Sequence, residues 1–203
     1  MSITTSARPS MTVAIACLTT CFAVAVVYSS QAVFSDIATK YGISDADARF
    51  AFSICSIAYA LAFFVLGPLS DIFSARKLAV TGLLVAASAT ALTAAWASKV
   101  AFVLASAVQG ASAAAVPTAM FALLPRLARK EQIGTYFGLI IAASVVGITL
   151  GHAGMGLLTA SIGLGAAQMG LAAILLIMSF LLMALPTEYL ASRRRIGLDF
   201  YAR

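Results

Sequence analysis

The chain has 203 residues, 62% of them hydrophobic and 10% charged, with a formal net charge of +6. Soluble domains average about 45–50% apolar and about 25% charged residues, so this composition cannot cover a core with a water-facing surface. The positive balance does not point to nucleic acid, because the charges sit in short gaps between apolar runs, as in polytopic membrane proteins.

A helix that crosses a bilayer needs about 20 mostly apolar residues. Six such runs occur, over residues 12–34, 49–69, 78–97, 100–123, 134–158 and 165–185. The expected fold is an all-α membrane protein: an N-terminus over 1–11, a bundle of six transmembrane helices over 12–185, and a basic tail over 186–203. The first run is longer than the apolar region of a cleaved signal peptide and lacks a clear small-residue cleavage site, so it reads as a retained helix.

On the first run, Thr20, Tyr28, Gln31 and Ser35 recur near helical spacing. The connection after it, 35–48, is polar and carries Asp36, Lys40, Asp45 and Asp47. The second run has a similar line of Ser53, Ser56 and Tyr59. The third is rich in small residues (Ala86 to Thr90) without a strong polar group, which predicts a peripheral helix. The fourth carries Ser106, Gln109 and Ser112 at intervals of three. Three polar stripes suggest a wet central cavity, with Tyr28, Gln31 and Gln109 as candidate lining residues. For any single side chain the competing reading is helix-to-helix hydrogen bonding.

The fifth run holds Gly134/Gly138 and Gly147/Gly151, two GxxxG pairs of the kind that let helices approach closely in lipid. It is expected to be a packing or gating helix, buried against its neighbours. His152, the only histidine, follows Gly151. Its ordinary pKa near 6.5 makes it a candidate proton site, and a neutral, hydrogen-bonded structural histidine is the alternative. Asp36 is the second titratable candidate.

With the N-terminus placed in the cytoplasm, ten of the thirteen basic residues fall inside, and only Lys40, Arg49 and Lys99 fall outside. The positive-inside rule then sets both termini in the cytoplasm. The tail with Arg193, Arg194 and Arg195 would lie along the anionic inner leaflet, or serve only to anchor the topology. Cys17, Cys21 and Cys55 are scattered through apolar runs and read as small buried side chains. No metal site and no cofactor is expected, since one histidine and scattered cysteines offer no ligand set.

Between the second and third runs stands Gly67-Pro68-Leu69-Ser70-Asp71, followed by Arg76-Lys77. It reads as a short polar hinge, and it resembles the signature loop of the major facilitator superfamily. Ile72, Ser74 and Ala75 depart from that pattern, where the family has Arg, Gly and Arg. Gln109-Gly110 is similar to the end of a motif linked in that family to proton coupling, with Ser106 in place of its arginine. Gly147-x-x-x-Gly151-His152-x-x-x-Gly156 resembles the family's exporter motif, with His152 in place of Pro. Tyr28-Ser29-Ser30-Gln31 and Tyr41-Gly42-Ile43-Ser44 look like the start of bacterial sugar and drug exporters of the superfamily.

The resemblance implies the six-helix N-terminal half of a secondary transporter whose whole has two such halves about a midplane site. It implies a latch on Gly67, Asp71 and Arg76, with the Asp71 carboxylate at a helix terminus of the other half. Gly147 and Gly151 would gate. The expected function is export of a small organic solute across a bacterial inner membrane, by a homodimer or with a second six-helix half. A neutral polar cavity leans towards a sugar or another uncharged solute. The alternatives are a truncated fragment, a non-transporting membrane partner and, remotely, an intramembrane protease using Ser112 and His152. No catalytic residue is otherwise expected, and the partners are lipid and solute rather than nucleic acid.

Overall fold

The computed structural model describes residues 9–96 and 98–185. The N-terminal Arg8 and the basic tail over 186–203 lie outside the described residues. The helices are α1 (Pro9–Tyr28), α2 (Phe34–Tyr41), α3 (Asp45–Ile72), α4 (Ala75–Ala95), α5 (Lys99–Leu127), α6 (Ile133–Thr149), α7 (Met155–Ile162) and α8 (Leu164–Ala184). A π-turn, Leu150–Gly154, joins α6 to α7 in one continuous run. Among the described residues, six helical runs are long and apolar enough to cross a membrane. The chain is a multi-pass membrane protein.

Local chemistry sets the element ends. Gly42, at φ +62°, closes α2 in the left-handed region that suits glycine. Ser44 then opens α3 with a reciprocal cap. Its hydroxyl accepts from the Asp47 N–H at 3.1 Å, and the Asp47 carboxylate accepts from the Ser44 N–H at 3.2 Å. Gly163, at φ +83°, makes the tight turn from α7 to α8. The polar connection after the first span therefore contains a helix, α2, that its composition did not suggest. The Gly67–Lys77 segment is also more helical than a hinge: α3 runs to Ile72 and α4 starts at Ala75.

α4 lies between α5 and α8, α3 packs mainly on α5, and α1 packs mainly on α6. Two expectations from composition are reversed here. Across its most apolar stretch α4 is 44% buried, so it is not peripheral, while the α6–α7 run is only 11% buried. The small residues of α4 are what allow its burial. A Cβ at Gly82 would come within 2.6 Å of the Ser112 carbonyl oxygen and 2.7 Å of the Ala115 Cβ on α5. The α6–α7 run touches the bundle along one stripe and shows its remaining faces outward.

α3 is likewise only 11% buried, against 61% for α1 and 56% for α5. Its Phe50, Ile57, Leu61 and Phe64 recur on one helical face, and all are exposed, Phe64 at 84%. α1 and α5 form the middle of the bundle, and α3 and α6–α7 form its open flanks.

Candidate functional site

Tyr28 ends α1 and is half-buried, with its ring 6.1 Å from Phe52 of α3. Phe52 in turn meets Phe34 at 6.1 Å, and Arg49 sits over the Phe34 ring at 5.7 Å. Further along, Tyr59 and Phe63 of α3 pair at 6.1 Å, Phe63 meets Phe121 of α5 at 6.4 Å, and Phe121 stacks on Phe137 of α6 at 5.5 Å. All of these rings are partly open, which gives a half-exposed aromatic track across α1, α3, α5 and α6. Gln31 is half-buried in the turn that follows Tyr28.

Gln109 does not join them. It is buried, and its Nε2 donates to Thr90 Oγ1 of α4 at 2.8 Å, so the side chain ties two helices together. Its neighbour Gly110 packs on the Cys55 backbone, where a Cβ would strike the carbonyl oxygen. Three of the remaining stripe hydroxyls turn to their own helices. Ser53 donates to the Arg49 carbonyl at 3.0 Å and Ser106 to the Phe102 carbonyl at 2.8 Å. Ser112 donates to the Val108 carbonyl at 2.6 Å. Hydroxyls satisfied in this way make no demand for water. The Thr20 hydroxyl is buried without a partner among the described residues. No hydrogen bond joins Ser112 to His152 among those residues.

Of the latch residues, Gly67 accepts at its carbonyl from the Ser70 hydroxyl at 2.7 Å, and Arg76 is half-buried in the first turn of α4. Asp71 lies in the last turn of α3, and its side chain lies outside the described residues.

The glycines of the α6–α7 run divide. Gly147 and Gly151 are buried, and a Cβ on either would collide with the backbone carbonyl of Cys21 or Ala25 on α1. Gly134 and Gly138 are exposed, with nothing within 4 Å of a built Cβ. His152 is exposed on the π-turn, and Asp36 is exposed in the first turn of α2.

One cluster was not legible as a site. Lys40 read only as an outside charge, yet its Nζ donates to the carbonyls of Thr93 and Ala94 at 3.0 Å each and to Gln168 Oε1 at 2.9 Å. The ammonium thus caps the carbonyl end of α4, where a cation opposes the helix dipole, and links it to α8. Tyr41 donates its hydroxyl to the Thr93 carbonyl and stacks on Phe102 at 4.6 Å. Burial lowers the Lys40 pKa and pushes the Tyr41 phenol up to about 12. Lys99 pairs with Asp47 at 3.0 Å on the same end of the bundle. The α2 end is thereby clasped to α4, α5 and α8.

An apolar cavity of about 220 Å³ lies between α1, the π-turn, α7 and α8. Phe22, Ser29, Leu150, Leu158, Leu171 and Ile174 are among its walls, with Gly151 and Gly154 in the π-turn. Nothing in the sequence marked it, because its walls carry no charge and almost no polarity. Among the described residues, no cluster of three or more His, Cys, Asp or Glu could hold a metal ion.

A family model described as Major Facilitator Superfamily matches residues 16–199. The chain belongs to the Major Facilitator Superfamily. Two curated relatives, the putative uncharacterized transporter YgaY of Escherichia coli strain K12 and the uncharacterized transporter YgaY of Escherichia coli O157:H7, are each 30% identical over 141 residues. The match spans 70% of this chain and 36% of each relative. Six membrane-capable helices and the match to a superfamily of transporters together make this a half-sized superfamily fold.

Proposed function

We propose that the chain is one six-helix half of a secondary transporter that exports a small organic solute across a bacterial inner membrane, working as a pair of such halves. The observation that carries this reading is the family match across residues 16–199. In the superfamily's architecture two six-helix units enclose a midplane site and rock about it. The weakly buried flanks α3 and α6–α7 are the surfaces a second copy would cover, and both termini would lie in the cytoplasm.

In this reading solute contacts Tyr28 and Gln31, backed by the aromatic track. The two groups can hydrogen-bond a neutral solute while the rings take its apolar face. Gly147 and Gly151 let the α6–α7 run shift on α1 as a gate. Gly67, Asp71 and Arg76 latch the two units. His152 is the candidate proton carrier and Asp36 the second, both being exposed.

A second reading has this chain pair with a different six-helix protein or act as a non-transporting partner. It is favoured by the match covering 36% of the relatives' length. Retention of ethidium and of a labelled disaccharide, in cells making the chain or its Asp71→Asn variant at equal membrane level, tests the first reading. Transport predicts lower retention of one probe with the native chain and recovery with the variant. Equal retention of both probes in all cells, including cells without the chain, contradicts it.

A further inference from the structure

We propose that the cavity between α1, the π-turn, α7 and α8 is a binding site for the acyl chain of a membrane lipid. The site lies among membrane-capable helices and its walls are almost wholly apolar, which suits hydrocarbon better than water. Ser29 is the one hydroxyl on its walls, and that group already donates to the Val26 carbonyl at 2.8 Å. The cavity therefore offers an occupant nothing but apolar contact.

Its size and opening fit such an occupant. An apolar cavity of about 150 Å³ stays dry and takes up benzene, and this one is larger, at about 220 Å³. Leu150 and Leu158, 47% and 45% exposed, stand where it meets the outer surface beside α8, away from the face with Ile141 and Val145 that a second copy would cover. A chain can enter there from the bilayer without the helices parting.

The cavity is separate from the proposed solute face. Phe22 and Ala25 share one side of α1 and Ser29 follows its end, whereas Tyr28 is turned about a quarter of a revolution away, towards α3. The π-turn supplies the width. Gly151 keeps that run against Ala25 on α1, while Gly154 leaves the wall open, with nothing within 4 Å of a built Cβ. Turns of this kind recur at functional sites.

The whole chain, placed in bilayers containing a phosphatidylcholine with a diazirine near the chain end, tests the site by mass spectrometry of the photolabelled peptides. The native chain should take saturable label around Phe22–Ser29 and Leu171–Ile174, displaced by unlabelled phosphatidylcholine. Gly154→Leu puts a side chain into the cavity from a wall where a Cβ meets nothing within 4 Å, and should abolish that label. Ile174→Phe, filling from the α8 wall, should do the same. Label around the exposed Phe180 on α8 should persist in both variants, and an unchanged melting temperature shows that the bundle is intact. Undiminished pocket label in both variants overturns the proposal. So does label displaced by ethidium but not by unlabelled lipid, which would assign the cavity to a solute. The test needs only the bundle in a bilayer, so it stands whether or not the chain transports.

Discussion

Gly147 and Gly151 sit where the α1 backbone comes so close that a Cβ would strike a carbonyl oxygen, whereas Gly134 and Gly138 face open space. The two pairs share one helical run and one spacing. The difference shows what a small-residue pair supplies: permission for close approach, which is used only where a neighbour arrives. The first pair seats the run on α1. The second leaves a shallow notch on a flank that the six-helix unit does not cover. The same contrast holds between α1, most of which is buried, and α3, most of which is not.

Substitutions should separate these roles. Gly151→Leu carries the largest expected effect. Its side chain must displace the Ala25 backbone, an overpacking error of about 3 kcal/mol or more, enough to prevent a monodisperse bundle in detergent. A variant with native thermal stability would break the contrast. Next is Lys40→Met, which removes three hydrogen bonds to one cation at the end of α4 and should cost about 2 kcal/mol in a melting experiment.

The pH dependence of that clasp has a definite sign. The Tyr41 phenol is raised from 10.0 to about 12 in the folded protein, so the fold holds its proton more tightly than the unfolded chain does. Its contribution is complete below pH 10 and is lost as pH rises towards about 12. Hydrogen-exchange protection at the α2 end, corrected for the base-catalysed rise in intrinsic exchange, should fall over that interval in the native protein and stay level in Tyr41→Phe. Lys40, lowered by burial, acts oppositely, its contribution growing as pH rises towards 10.5. The smallest effect belongs to Gly138→Ala, which should leave the isolated unit unchanged or more stable by up to about 1 kcal/mol, through helix propensity alone.

Much of the architecture was legible because lipid imposes a coarse constraint. Each span must satisfy its backbone internally and stay apolar for about 20 residues, and both requirements appear in a linear count. Which way a side chain faces inside the bundle leaves no such trace. Gln109 carries the same sequence signal whether it lines a cavity or bonds Thr90. Ser106 and Ser112 look like cavity polarity until their hydroxyls are found on their own carbonyls. The small residues of α4 suggested a peripheral helix because they lack polar grip, yet smallness is what admits α5 so closely at Gly82. Lys40 was hidden because 35–48 reads as a polar connection, whereas it stands in the last turn of α2. The apolar cavity had no sequence signature at all.

The central claim is that this six-helix unit works as one of a pair, with its open flanks α3 and α6–α7 covered by a second copy. The most direct measurement is the mass of the purified protein in mild detergent, by light scattering with the detergent contribution subtracted. The account predicts a stable species of twice the 20.9 kDa chain mass. A strict monomer of 20.9 kDa across the accessible concentration range would contradict it.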